Sequence, residues 1–270
     1  MYGYGIGSFS FLNSGIAVDA DALAYFEANT AITLDADKIA IDAFYKGLKA
    51  DGIYTKMKAM YLPKWASATN DKWNLVNPVD TSEAFRLKFN GGWTHSTSGI
   101  LGNGSNTYAE TYIIPSSVLT NNNTHLSYYC RSNTYGAIID FGTQSGGSLS
   151  VYNYLSSYYS DQYDTGGGRA SSAISDTRGF ISGSRTSASV HKLFRNGVQT
   201  GATNTGSSGG LTSINNSIFF GAGRASATTA FLFSNRQYSF ASCGDGLTDA
   251  DEANLYNRVQ TLMTYFGINV

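Results

Sequence analysis

Three hydrophobic patterns follow one another along the chain. Residues 1–15 alternate Tyr, Ile and Phe with Gly and Ser and carry no charge. From residue 19 to residue 61 the apolar positions recur at helical spacing. Ala22, Leu23 and Phe26 mark a short helix, and Ile39, Ala40, Ala43, Phe44 and Leu48 follow the i, i+3/i+4 pattern of a longer one. Asp-Ala-Asp opens both segments, at 19–21 and 35–37, which puts carboxylates on the positive end of each helix dipole. Capping therefore explains these aspartates better than metal binding. Gly52 supplies a C′ stop, and a third helical stretch is predicted over 53–61, ending before Pro63.

Beyond residue 84 the sequence breaks into short runs rich in Tyr, Phe, Ile, Val, Ser and Thr. They predict strands at 84–89, 108–114, 125–131, 137–142, 149–155, 169–174, 179–184, 189–195, 217–221, 230–234 and 237–241. Leu126, Tyr128 and Cys130 alternate with Ser127, Tyr129 and Arg131, as in a half-buried strand. Asn90-Gly91-Gly92, Asn196-Gly197 and Ser208-Gly209-Gly210 have turn chemistry that permits positive φ. Eleven strands without intervening helices predict a mainly β protein, an antiparallel β-sandwich of jelly-roll type. Helical spacing returns at the end. Thr248 is an N-cap candidate followed by Asp249, Asp251 and Glu252, and Ala253, Tyr256, Val259, Gln260, Met263 and Phe266 trace one face up to Gly267. The predicted organisation is an extended arm at 1–15, a helical leader at 16–71, and a sandwich at 72–270 with a terminal helix at 248–266. The seam lies in the stretch 72–115. The arm is either a strand added to the body or a segment that docks on a partner chain through Tyr2, Tyr4, Ile6, Phe9 and Phe11.

Composition narrows the partners. Hydrophobic residues make up 42% of the 270 and can build a sizeable core, while charged residues are only 14%, against roughly 25% in ordinary globular proteins. Nineteen Tyr and fifteen Phe argue against disorder of the low-charge kind. A net charge of −1 leaves no concentrated basic face for nucleic acid. Lys46, Lys49, Lys56 and Lys58 are interleaved with Asp42 and Asp51, as on a solvated helix face. Cys130 and Cys243 are too few for a disulfide framework and are expected as two buried thiols. The N-terminal stretch lacks the basic and continuous apolar regions of a secretory signal. No run approaches the roughly 18 apolar residues of a membrane span. Synthesis and folding in a cytoplasm are expected, with any outside role reached as part of an assembly.

A search for reactive groups finds little. There is no Gly-x-Ser-x-Gly elbow, and His95, His125 and His191 are scattered without zinc-ligand spacing. The Gly-x-Gly fragments at 3–5 and 221–223 lack the strand–helix context of a phosphate cradle. Sandwich glycosidases need two facing carboxylates. Between residues 84 and 241 the only acids are Glu110, Asp140, Asp161, Asp164 and Asp176, so hydrolysis would need an unusual pair such as Glu110 with Asp140. Residues 241–252 match a calcium loop only at Asp245, Gly246, Asp249 and Glu252, and the first two hard ligands are missing. Neither cofactor nor metal is expected, with Asp245, Asp249 and Glu252 the weak exception. Aromatic rings are the remaining signal. Tyr152, Tyr154, Tyr158, Tyr159 and Tyr163 crowd a segment with Asn153, Asp161, Gln162 and Asp164. Tyr is also simply a good strand residue, but 158–164 looks like a polar loop leading into Gly166–Gly168. Tyr154, Tyr158, Tyr159, Asp161 and Tyr163 are thus the candidate carbohydrate-binding set.

With the body laid out, the chain resembles the concanavalin A-like, laminin-G-like sandwiches. The resemblance rests on the strand at 84–90 followed by Gly91-Gly92-Trp93 and Asn103-Gly104-Ser105. It rests also on Val190-His191-Lys192-Leu193-Phe194-Arg195-Asn196-Gly197-Val198, like that family's strand–Asn-Gly–strand hairpin. The closing Gly246-Leu247-Thr248, Glu252 and Leu255-Tyr256-Asn257 are similar to its terminal helix. A helical leader before such a sandwich is similar to structural proteins of tailed bacteriophages. The likeness covers most of residues 35–270. It implies a non-enzymatic virion protein of head or tail, of decoration or fibre type, with a lectin-like sandwich adhering to host-surface glycans. Its implied partners are other virion proteins and further copies of itself, and its place is the virion, after synthesis in the host cytoplasm. The metal ligands of legume-type members have no matching positions here. A purely architectural virion protein and a carbohydrate-active hydrolase are the alternatives.

Overall fold

The computed structural model describes residues 17–144, 147–163, 169–226 and 229–270. The chain enters through α1 (Ala20–Ala28), where Asp19 in extended backbone caps the N–H groups of Asp21 and Ala22 at 3.0 and 3.4 Å. Helix α2 (Asp35–Ala50) follows, with Asp35 and Asp37 in its first turn and Ile41, Phe44, Tyr45 and Leu48 on its buried face. The expected third helical stretch is reduced to the 3-10 turn Tyr54–Lys56. It runs into a strand, β1 (Met57–Tyr61). Met-Lys-Ala-Met-Tyr has fair helix propensity, but an open sheet edge takes its backbone and tertiary pairing overrides the local preference. Two single turns, α3 (Ala68–Asp71) and α4 (Pro115–Val118), and the terminal helix α5 (Asp249–Tyr265) complete the helices of the described residues. Thr248 and Asp251 form a reciprocal capping box at the start of α5.

Two antiparallel sheets carry the body. Sheet A contains β3 (Thr94–Ser96), β4 (Gly99–Leu101), β6 (Thr124–Cys130), β11 (Gly179–Ser187), β12 (Val190–Arg195), β13 (Val198–Gln199) and β17 (Gln237–Gly244). Its order is β13-β12-β11-β6-β17-β4-β3, and β1 pairs with β17 from Met57↔Gly244 to Tyr61↔Ala241. Gly244 is required there, because a Cβ would lie 2.1 Å from the carbonyl oxygen of Lys56. Sheet B contains β2 (Lys88–Asn90), β5 (Tyr108–Glu110), β7 (Phe141–Thr143), β8 (Leu149–Tyr154), β9 (Ser157–Gln162), β10 (Ala170–Ala173) and β14 (Phe219–Phe220), in the order β10-β9-β8-β7-β14-β5-β2. A small ribbon, β15 (Gly223–Arg224) with β16 (Ala230–Phe231), stands apart.

The core between the sheets is built from Leu126, Tyr128 and Cys130 of β6, Ile181, Leu193, Ala241 and Cys243, facing Ala109, Phe141, Leu149, Val151, Tyr158 and Phe220 of sheet B. Both cysteines are buried and free. A second core lies on the other face of sheet A, where Tyr129, Phe180 and Phe240 meet Phe44, Leu48, Leu255, Val259 and Met263 of the helices. Strand β6 is consequently buried at every position, on both faces. The alternation that looked half-buried in sequence marks two buried environments instead. Helix α5 buries Glu252, Leu255, Val259, Leu262 and Met263, a stripe rotated from the one traced by Ala253 and Tyr256. Phe44 packs edge-on to Phe240 at 6.0 Å. Gly47 of α2 faces the Arg258 side chain of α5, which lies where a Cβ would point.

Polar groups are buried where they find partners. Arg236 Nη1 lies 2.9 and 2.8 Å from the carboxylate oxygens of Asp140, both side chains fully buried. Asp140 also accepts from the hydroxyls of Tyr128 and Tyr238 and from Asn153 N–H. Beneath the start of α5, Ser182, Ser127 and Ser242 stand in one register row across sheet A. Ser182 donates to Glu252 Oε1 at 2.7 Å, and His125 Nε2 lies 3.0 Å from Ser242 Oγ. Burial pushes Glu252 up to about 8 and His125 down to about 4.

Candidate functional site

Helices pack over Tyr129, Phe180 and Phe240 on the outer face of sheet A, whereas the outer face of sheet B offers a row of aromatic side chains. Its composition follows from the pleat. Leu149 and Val151 of β8 and Tyr158 of β9 point into the core, so Tyr152 and Tyr154 on β8, and Tyr159 and Asp161 on β9, point outward. Register places Tyr152 opposite Tyr159 and Ser150 opposite Asp161. The tyrosine rings lie 5.4 Å apart.

Arg169, just before β10, lies over this pair. Its guanidinium carbon is 4.7 Å from the centre of the Tyr159 ring and 5.7 Å from that of Tyr152. Asp161 fixes it there, with Oδ1 accepting from Nε at 2.6 Å and Oδ2 from Nη2 at 2.8 Å. Asp161 also takes the Tyr152 hydroxyl at 2.9 Å and Ser148 Oγ at 3.3 Å. Its carboxylate is thereby spent on holding its neighbours. The hydrogen bonds that Arg169 donates to Asp161 raise its guanidinium further above the ordinary range. Burial, and then the charge of Asp161, raise the Tyr152 hydroxyl. Both groups keep their protons at any physiological pH.

Beside this assembly is a cleft of about 310 Å³ lined by Ile139, Gln144, Tyr152, Tyr154, Arg169 and Leu232. Two backbone hydrogen bonds tie its rim to the segment around the ribbon: Ile139 N–H to Leu232 O at 3.1 Å, and Gln144 N–H to Arg224 O at 2.9 Å. The cleft joins apolar walls and tyrosine rings to one amide and one guanidinium.

Of the sequence candidates, Tyr154, Tyr159 and Asp161 meet at this face. Tyr158 and Tyr163 do not. Residues 157–162 form strand β9 rather than a polar loop, and both rings sit in the core at 2% exposure, unavailable to a ligand. The Tyr158 hydroxyl donates to Asp176 O, and that of Tyr163 lies 3.1 Å from Thr124 Oγ1. The strand's alternation was legible as Tyr158, Ser160 and Gln162 against Tyr159 and Asp161, but its polar content masked it. The sequence alone does not mark Arg169, Gln144, Ile139 or Leu232. They reach the cleft from separate segments, and no local spacing announces them. Asp164, residues 166–168, and Tyr2, Tyr4, Ile6, Phe9 and Phe11 of the arm lie outside the described residues.

The remaining acids are engaged elsewhere. Asp245 faces Lys58 at 3.6 Å, Asp249 pairs with Lys192 at 2.7 Å, and Glu252 is buried on Ser182, so the three do not converge on a common point. Among the described residues no group of three or more His, Cys, Asp or Glu is placed to hold a metal ion. Glu110 faces outward and pairs with Arg224 at 2.8 Å, while Asp140 is sealed among core tyrosines. No helix of the described residues is long and apolar enough to cross a membrane.

No family model and no curated protein matches the chain. Solved structures do resemble it. One is of botulinum neurotoxin type C, whose cell entry depends on interaction with two ganglioside molecules. It has TM-score 0.53 and 12% identity, over 77% of this chain and 53% of that one. Another is the binding domain of botulinum neurotoxin DC in complex with rat synaptotagmin II, with TM-score 0.51 and 12% identity, over 77% and 52%. A third is domain 4 of AbnA, an extracellular arabinanase from Geobacillus stearothermophilus, in complex with arabinotriose. Its TM-score is 0.49 and its identity 13%, over 74% of this chain and 98% of that one. The chain spans about half the length of the two toxin chains. At these identities the likeness is one of fold: an antiparallel β-sandwich.

Proposed function

We propose that this protein is a glycan-binding β-sandwich that holds sugars without cleaving them, carried on a bacteriophage particle. The observation that carries the binding role is the cleft on sheet B, where Tyr152 and Tyr154 stand beside Gln144 and Arg169. A sugar ring presents C–H faces that pack on aromatic and aliphatic walls, and hydroxyls that need planar hydrogen-bonding groups. A concave site of both kinds is suited to it. The toxin type C structure, a sandwich of similar fold, interacts with gangliosides, which agrees with this reading. Cleavage would need two facing carboxylates. Asp161, the one acid beside the cleft among the described residues, is consumed by Arg169 and Tyr152.

A broad glycan array tests the binding role. Wild type should bind a defined subset, and Tyr154→Ala should weaken it roughly tenfold, about 1.4 kcal/mol, with the melting temperature little changed. Wild-type protein binding nothing would remove the glycan reading and leave a purely architectural particle protein. Shortened oligosaccharide products after incubation would show a hydrolase instead. The particle role draws on the helical leader and the sandwich motifs in the sequence. Mass spectrometry of purified phage particles should find the chain in a fixed copy number, and its absence there would rule that role out.

A further inference from the structure

Arg169 has more hydrogen-bonding capacity than its partners among the described residues use. A guanidinium carries five N–H donors in a rigid fork. Two are committed to Asp161, one from Nε and one from Nη2. Of the other three, one on Nη1 and one on Nη2 form the end-on edge of the fork, and the second on Nη1 points back along the side chain. The side chain is 47% exposed and lines the cleft, so this edge is the part left for solvent or a ligand. Its direction is set in advance, by the buried carboxylate on one side and the two tyrosine rings beneath. The lining residues Ile139, Gln144, Tyr152, Tyr154 and Leu232 include no acid that would repel an anion. An end-on pair of parallel N–H groups matches a planar carboxylate in two hydrogen bonds, a match that a lysine ammonium cannot make.

We propose that the ligand of this cleft is a sugar bearing a carboxylate, gripped end-on by Arg169 while its ring packs against Tyr154. This inference rests on the glycan-binding reading and narrows it. Because Asp161 balances the arginine's charge, recognition depends on the fork's geometry more than on net attraction. Binding should therefore vary only weakly with salt.

The test is a glycan array carrying carboxylate sugars, the same sugars as methyl esters, neutral counterparts and sulfated glycans. Wild type should bind the free acids at least tenfold better than their esters. Arg169→Lys, which keeps the charge and removes the fork, should lose that preference. The comparison of acid with ester uses the unaltered protein, so it stands even if the variant misfolds. Equal binding of acid and ester, binding of neutral sugars alone, or preference for sulfate would overturn the inference and leave the glycan reading intact. Binding to no glycan at all would overturn both.

Discussion

Glu252 ties the stability of the fold to pH. It is buried in the first turn of α5, its Oε1 is satisfied by Ser182, and its Oε2 has no hydrogen-bond partner. Burial raises it from an ordinary value of 4.5 to about 8. The folded protein therefore holds a proton that the unfolded chain releases, and stability falls as pH rises from about 4.5 to about 8. His125 works in the opposite sense. Burial lowers it from 6.5 to about 4, so it removes stability as pH falls through that window. Between pH 6.5 and 8 only Glu252 of this pair changes charge differentially, by about 2 kcal/mol. Wild type should lose melting temperature across that interval, and Glu252→Gln should lose markedly less. Parallel curves for the two proteins would show that the carboxyl is not buried as described. At this scale the candidate site was half legible. Tyr154, Tyr159 and Asp161 could be read because aromatic, amide and carboxylate groups crowd one short segment. Tyr158 and Tyr163 belong to the same crowd, yet the pleat turns Tyr158 inward, and Tyr163, just past the end of β9 with φ +46°, is carried into the core as the chain leaves the strand. Arg169 could not be read, since its role comes from pairing across β9 and β10.

Elements were most legible where hydrophobic period and capping agreed. Helix α5 runs between Thr248 and Phe266 as its cap and periodicity predict. Strands β6, β8, β11 and β12 fall within a few residues of their predicted runs. Failures occurred where one signal outvoted the other. Strand β9, with Ser157, Ser160, Asp161 and Gln162, has the composition of a loop, but its polar side chains are satisfied inside the fold. Ser160 lies 2.9 Å from His191 Nε2, and Gln162 donates to Gly183 O at 2.5 Å. Strand β1 has the composition of a helix and is claimed by the edge of β17. Each case is a long-range partner overriding a local preference, which a sequence window does not contain.

At the scale of the whole molecule, strand count and turn chemistry were enough to predict an antiparallel sandwich, but not its third layer. Helices α2 and α5 pack on the outer face of sheet A over Tyr129, Phe180 and Phe240, and one buried alternation looks like another in sequence. The hub of this arrangement is β17, which pairs with β1, β4 and β6. Met57 is bonded in register to Gly244, so the central sheet joins segments from near both ends of the described chain. That has a kinetic consequence. Until residues 237–244 arrive, β6 has a neighbour on one side only and β1 has only its end bridged, by Tyr61 to Asn74. The decisive pairings bring a large loop-closure entropy, and chains dominated by such contacts fold in milliseconds to seconds rather than microseconds. Stopped-flow refolding followed by tryptophan fluorescence should show its main phase in that slow range. Completion within the dead time would mean that the sheet nucleates from local contacts instead. During the slow phase the edges of β6 and β1 stand open to other chains, so refolding yield should drop with protein concentration even though the finished fold covers both strands.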